Sequence, residues 1–179
     1  MAYKERGRRE LAPLLARLLT RSATACLAAA APPGGSPPVV LVPVPTRRAA
    51  AVRRGDDPVG RLAGCAARAV GGTVLDVLRY RRPVADQAGL RAPERAANLG
   101  GAFHVPPRFR REMRSASGAL VIVVDDVCTT GATLAEAGRA LAESGCRPVG
   151  AAVAATTLLR VGRSSPRVVG DAESWVGGV

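Results

Sequence analysis

Over 179 residues the chain sets 26 lysines and arginines against 14 acids, and all but one of those cations are arginine. A formal charge of +12 suits polyanionic ligands, whether pyrophosphates or nucleic acid, because arginine grips phosphate oxygens bidentately. The length fits one domain, and 47% hydrophobic with 3% aromatic content demands a core of Ala, Val and Leu.

Residues 1 to 31 begin basic and turn apolar, which can imitate a signal peptide. Arg17 and Arg21 interrupt the run, however, and Leu11, Leu14, Leu15, Leu18 and Leu19 recur at helical spacing. The pattern predicts an amphipathic helix with a basic outer face, short of the ~18 continuous apolar residues a membrane span needs. A soluble, cytoplasmic chain is the expectation. Pro32 to Pro38 then reads as a linker.

Val39-Val40-Leu41-Val42 predicts a buried strand, and Pro43-Val44-Pro45-Thr46-Arg47-Arg48 a rigid turn leaving it. Open α/β sheets collect ligands at the carboxyl ends of parallel strands, so arginines there suit a bound anion. Next comes a helix from about Val59 to Val70, with Leu62, Cys65, Ala66 and Ala69 facing inward. Asp56 or Asp57 would cap it, and Pro58 suits its first turn. Thr73 to Tyr80 alternates as a strand. Val84 to Gly101 is a long polar stretch, and such loops in compact domains are usually functional or disordered. The sole histidine, His104, has no partner motif. Pro106 to Arg114 reads as a short basic helix or turn.

The organising stretch is Val121-Ile122-Val123-Val124-Asp125-Asp126-Val127-Cys128-Thr129-Thr130-Gly131-Ala132-Thr133. Four β-branched residues predict a strand buried on both faces. Two carboxylates follow, then small hydroxyl residues around a glycine, then a helix with Leu134, Ala137, Ala140 and Leu141 on one stripe and Arg139 and Glu143 off it. A strand entering a helix through such a turn makes an anion site from unpaired N–H groups and the helix dipole. The acids would repel an anion, so they need another task. A sugar phosphate supplies it: the loop holds the phosphate while the acids accept from vicinal hydroxyls. A nucleotide-hydrolase reading needs a lysine-bearing phosphate loop, and the only lysine is Lys4.

Gly145 to Pro148 ends that helix, and Val149 to Thr157 predicts another buried strand. Residues 160 to 179, with Trp175, read as a loose tail. Cys26, Cys65, Cys128 and Cys146 form no C-x-x-C pair, which speaks against a zinc ribbon and for free thiols. No G-x-S-x-G elbow supports hydrolase chemistry.

The thirteen-residue stretch resembles, at every position, the phosphoribosyl pyrophosphate signature of type I phosphoribosyltransferases. Further motifs resemble the ComF group of these proteins, linked in some bacteria to DNA uptake. They are Val42 to Pro45, Arg53 to Gly55, Gln87, Leu90, Arg95, Asn98 and Gly101 to Phe103, with Tyr3-Lys4 and Gly7-Arg8 near the start. Longer members carry a four-cysteine zinc module that is not seen here. Where the group shows an aromatic and then N-Q after R-G, this chain has Asp56-Asp57-Pro58.

The resemblance implies an α/β fold: a mostly parallel central sheet flanked by helices, a small hood and a flexible lid loop. Residues 1–31 would form the hood helix, 39–158 the phosphoribosyltransferase-like domain and 159–179 the tail. It further implies transfer of a phosphoribosyl unit from 5-phosphoribosyl 1-pyrophosphate, with magnesium, to an unspecified acceptor. Asp125 and Asp126 would be the catalytic acids, holding the ribose hydroxyls and touching the metal only through them or through water. Val127, Cys128, Thr129, Thr130, Gly131, Ala132 and Thr133 would bind the 5-phosphate. Thr46, Arg47, Arg48, Arg81, Arg82 and Arg95 would meet the pyrophosphate, with Arg91 a further candidate. A non-catalytic sensor of the same ligand, or a DNA-uptake accessory protein, is the alternative. Nucleic acid and a homo-oligomer stay open as partners, and no membrane is expected.

Overall fold

In a computed structural model the described residues are 11–46, 57–81 and 100–156. Four parallel strands make the central sheet: β1 (Val39–Pro43), β2 (Thr73–Val74), β5 (Leu120–Cys128) and β6 (Gly150–Thr156), in the order β2-β1-β5-β6. A two-stranded antiparallel ribbon, β3 (Arg79–Tyr80) with β4 (Phe103–His104), stands apart from it. The helices are α1 (Ala12–Ala30), α2 (Pro58–Ala69), α3 (Arg110–Ser115) and α4 (Ala132–Glu143). None is long and apolar enough to cross a membrane.

Both sheet faces are covered, which is why β1 and β5 read as unbroken apolar runs rather than alternating ones. On one face Leu41, Ile122, Val124, Ala152 and Ala154 pack beneath α1 and α2, through Leu19, Ala23, Leu62 and Ala66. On the other, Val40, Val42, Val121 and Val123 pack with Leu134, Ala137, Ala140 and Leu141 of α4 and with Phe103 of the ribbon. The expected α4 stripe is thus buried in full. Edge strand β6 is covered by α1, whose Ser22 hydroxyl accepts the Val153 N–H at 3.2 Å; a capped edge resists pairing with other chains.

Several expectations are corrected. The segment 73–80 is broken: only Thr73 and Val74 join the sheet, and Arg79 and Tyr80 turn away into the ribbon. Val77 and Leu78 between them are buried in the α4-side core, which pulls the chain off the sheet edge. On α1 the leucines divide, with Leu19 buried but Leu14 and Leu18 left 54% and 38% exposed. The inner stripe continues instead through Ala23, Cys26 and Leu27. On α2 the buried set is Val59, Leu62, Ala63, Ala66 and Ala67, so Cys65 and Ala69 lie outside it. Small alanines let that helix approach the sheet and α1 closely.

Asp57 caps α2 as expected, accepting the Gly60 N–H at 3.1 Å with Pro58 in the first turn. A Cβ at Gly60 would press on the Asp57 carboxylate, which would have to shift. The basic segment forms a turn of 3-10 helix, Pro107–Phe109, running into α3. Arg79 and Arg108 flank the Phe109 ring, 5.0 and 4.8 Å from its centre.

Candidate active site

The chain leaves β1 toward β2 on one side and leaves β5 toward β6 on the other. Strand order therefore reverses between β1 and β5, and in open parallel sheets the crevice at that reversal, outside the carboxyl ends, takes the ligand. Pairing of β1 with β5 ends at Pro43 and Val124, followed by one further hydrogen bond from the Val44 N–H to the Val124 carbonyl at 2.9 Å. Pairing of β5 with β6 continues to Cys128 and Thr156. Strand β5 outruns β1 by Asp125, Asp126, Val127 and Cys128, and those residues border the crevice.

The two acids thus lie within the strand, not in the turn after it. They are 6% and 3% exposed. Their carboxylates are oriented by the backbone just ahead: Asp125 Oδ1 accepts the Asp126 N–H at 2.8 Å, and Asp126 Oδ1 accepts the Val127 N–H at 2.9 Å. These two bonds fix the orientation of both carboxyl groups.

Thr129, Thr130 and Gly131 make the turn. Gly131 sits at φ +80°, in the left-handed region, as the N-cap of α4, a conformation that glycine adopts freely. One loop N–H group is met by the loop's own side chain: that of Ala132 donates to Thr130 Oγ1 at 3.4 Å. The 3.4 Å bond is long for its type. Thr133 and Leu134 follow in the first turn, where N–H groups have no helical acceptor and the helix dipole favours an anion. Burial pushes the Cys128 thiol up, and the Asp125 charge adds to this against the opposing Gly131 N–H. The thiol of Cys128 is thus favoured in its neutral form beside the loop.

The residues brought together are Asp125, Asp126 and Val127 through Thr133, with Thr46 on the segment leaving β1. The Thr46 hydroxyl donates to Asp57 Oδ1 at 3.1 Å. Arg81 is elsewhere. Its guanidinium lies 3.7 Å from Glu143, eleven residues along α4 from Ala132, or about 16 Å by helical rise. Arg47, Arg48, Arg82, Arg91 and Arg95 lie outside the described residues, as do Gln87, Asn98 and the residue 159–179 tail. His104 is half-buried, with Nδ1 3.2 Å from the Arg79 carbonyl oxygen.

Among the described residues no group of three or more His, Cys, Asp or Glu side chains could hold a metal ion. Two carboxylates do not make a protein-only cage; they fit magnesium that arrives on a substrate's own phosphates, which keeps several of its waters.

Sequence reasoning missed Glu136, a third buried acid at 6% exposure. It sits next to the apolar stripe of α4, and no local signal marks it. Its partners are Arg139, at 2.7 Å to each carboxylate oxygen, and the Phe103 N–H at 2.9 Å.

The family model for the phosphoribosyl transferase domain matches residues 66–174. A solved structure described as a glutamic acid mutant, from an analysis of an invariant aspartic acid in HPRTs, is similar at 14% identity. That similarity spans 82% of this chain and 78% of that one, with a TM-score of 0.43. No curated protein sequence matches the chain.

Proposed function

The chain belongs to the phosphoribosyl transferase domain family, and from that premise we propose that it binds 5-phosphoribosyl 1-pyrophosphate and transfers the phosphoribosyl unit with release of pyrophosphate. One observation carries the reading: β5 outruns β1 so that the buried pair Asp125–Asp126 and the Thr129–Thr133 turn share one side of the switch-point crevice. A ligand with a terminal phosphate and vicinal hydroxyls matches both halves.

In this reading the 5-phosphate displaces the Thr130 hydroxyl from the Ala132 N–H and accepts from the first turn of α4. Thr129, Thr130 and Thr133 add hydroxyl donors. Asp125 and Asp126 accept from the 2- and 3-hydroxyls, which places negative charge beside a ring that turns cationic as the glycosidic bond to pyrophosphate lengthens. Stabilising that oxocarbenium-like ring is the dominant work in such transfers. Magnesium neutralises the diphosphate when bound, and the acids reach it only through ribose hydroxyls or water. In this reading Thr46, on the segment leaving β1, meets the pyrophosphate, and Arg47 and Arg48 follow it in the sequence. The motifs at Val42–Pro45 and Gly101–Phe103 support the ComF group as the nearer relationship.

Thermal-shift and calorimetric titration with phosphoribosyl pyrophosphate, ribose 5-phosphate and nucleotides, each with and without magnesium, tests the reading. Magnesium-dependent stabilisation by phosphoribosyl pyrophosphate is expected. Stabilisation by nucleotides with no response to either sugar phosphate contradicts it. Pyrophosphate release across a panel of bases then separates an enzyme from a sensor.

A further inference from the structure

The Arg81 N–H donates to the Ala102 carbonyl at 2.8 Å, so the neighbouring Tyr80–Phe103 pair is the non-hydrogen-bonded kind,. Phe103 therefore turns its own N–H and C=O away from β3, toward α4. Both are met there by side chains one helical turn apart. Glu136 Oε1 accepts the N–H at 2.9 Å, and Arg139 Nη2 donates to the carbonyl at 3.1 Å. Arg139 is locked onto Glu136 through Nε and Nη2, each at 2.7 Å, and also pairs with Glu143, which reaches Arg81. An acid and a base on one helix face thus act as a surrogate strand for a single residue of the ribbon.

Apolar packing alone could hold the ribbon down, since the Phe103 ring is fully buried and Tyr80 meets it edge-on at 5.0 Å. Packing does not specify register; two hydrogen bonds to one residue do. Phe103 belongs to the same hydrophobic cluster as Val42 and Val44 at the carboxyl end of β1 and Leu134 in the first turn of α4. Those two elements border the crevice, and Phe103 packs in one cluster with residues of both.

We propose that Glu136 and Arg139 are positioning residues for phosphoribosyl transfer: by seating Phe103 they set the spacing between the phosphate turn of α4 and the segment leaving β1. The inference rests on the function proposed above. It concerns ligands that reach both bordering elements, which phosphoribosyl pyrophosphate does and ribose 5-phosphate, held by the β5–α4 side alone, does not.

The test is calorimetry with both ligands on the parent chain, on Glu136→Gln and on Arg139→Lys. The first substitution keeps an acceptor for the Phe103 N–H but breaks the ion pair. The second keeps the charge but cannot span Glu136, the Phe103 carbonyl and Glu143 together. Amide exchange over residues 100–106 reports the seat itself. Expected is faster exchange there, unchanged ribose 5-phosphate affinity and roughly tenfold weaker binding of magnesium phosphoribosyl pyrophosphate. Equal losses for both ligands, or no loss for either, overturn the positioning role while leaving the function intact. A parent chain that binds neither ligand overturns the function, and this inference with it.

Discussion

Thr46 and Asp57 close the base of the segment that leaves β1: the Thr46 hydroxyl donates to Asp57 Oδ1 at 3.1 Å, and the same oxygen caps α2 through the Gly60 N–H. Asp57 thus has a structural task in capping and in loop closure. Asp57→Ala should cost about 1 kcal/mol, the usual value for a lost cap, and lower the melting temperature by a few degrees. Thr46→Val removes only the closing bond and should cost less. Equal losses for the two variants in thermal unfolding would show that loop closure, not capping, dominates.

Gly131 holds a left-handed conformation with open space where a Cβ would lie. Strain, not collision, is therefore the penalty for a side chain. Gly131→Ala should destabilise by roughly 1–2 kcal/mol and weaken phosphate binding, because the loop relaxes toward negative φ. Gly131→Asn, better tolerated in this region, should retain more of both. Urea unfolding beside ribose 5-phosphate titration checks the order; an alanine variant equal to the parent in both contradicts it.

Burial raises the thiol pKa of Cys26, Cys128 and Cys146, whereas Cys65 is exposed. Alkylation with iodoacetamide at neutral pH should label Cys65 first, with Cys128 slow until the pH is well above the usual thiol value of about 8.5. Peptide mass mapping reads the sequence of labelling. Early modification of Cys128 contradicts the neutral-thiol assignment.

Burial pushes the Glu136 carboxyl up, but the Arg139 hydrogen bonds together with the Phe103 and Gly101 N–H groups outweigh it, leaving a net downward shift. A carboxyl lowered in the folded state contributes stability that is full above its unfolded value, about 4.3, and is lost as pH falls through the lower folded value. The stability gap between parent and Glu136→Gln should therefore be constant from about pH 5 to about pH 7 and narrow on acidification. A gap that widens in acid reverses the sign and the assignment.

Local chemistry made much of this legible in the sequence. The β5–turn–α4 unit, the Asp57 cap and the α4 stripe each depend on neighbours within a few positions, so spacing alone reveals them. Glu136 does not: its partner Phe103 lies 33 positions away, and on a helical wheel it reads as one more polar residue. The break after Val74 was equally hidden, because Val77 and Leu78 alternate like strand residues yet are drawn into the α4-side core. Leu14 and Leu18 show the converse, leucines at helical spacing left outside while Leu19, Ala23 and Cys26 form the packed side. The formal charge of +12 suited polyanions in general, but it could not mark Arg81 as the partner of Glu143.

The acid pair carries the proposed function. Asp125→Asn with Asp126→Asn keeps an acceptor for the Asp126 and Val127 N–H groups, so the fold should persist, with a melting temperature no lower than the parent's. Each hydrogen bond to a charged group contributes roughly 1.5–3 kcal/mol, so calorimetry with magnesium phosphoribosyl pyrophosphate should find binding abolished in the folded double variant. Parent-like affinity in that variant would contradict the assignment of Asp125 and Asp126 to the ribose.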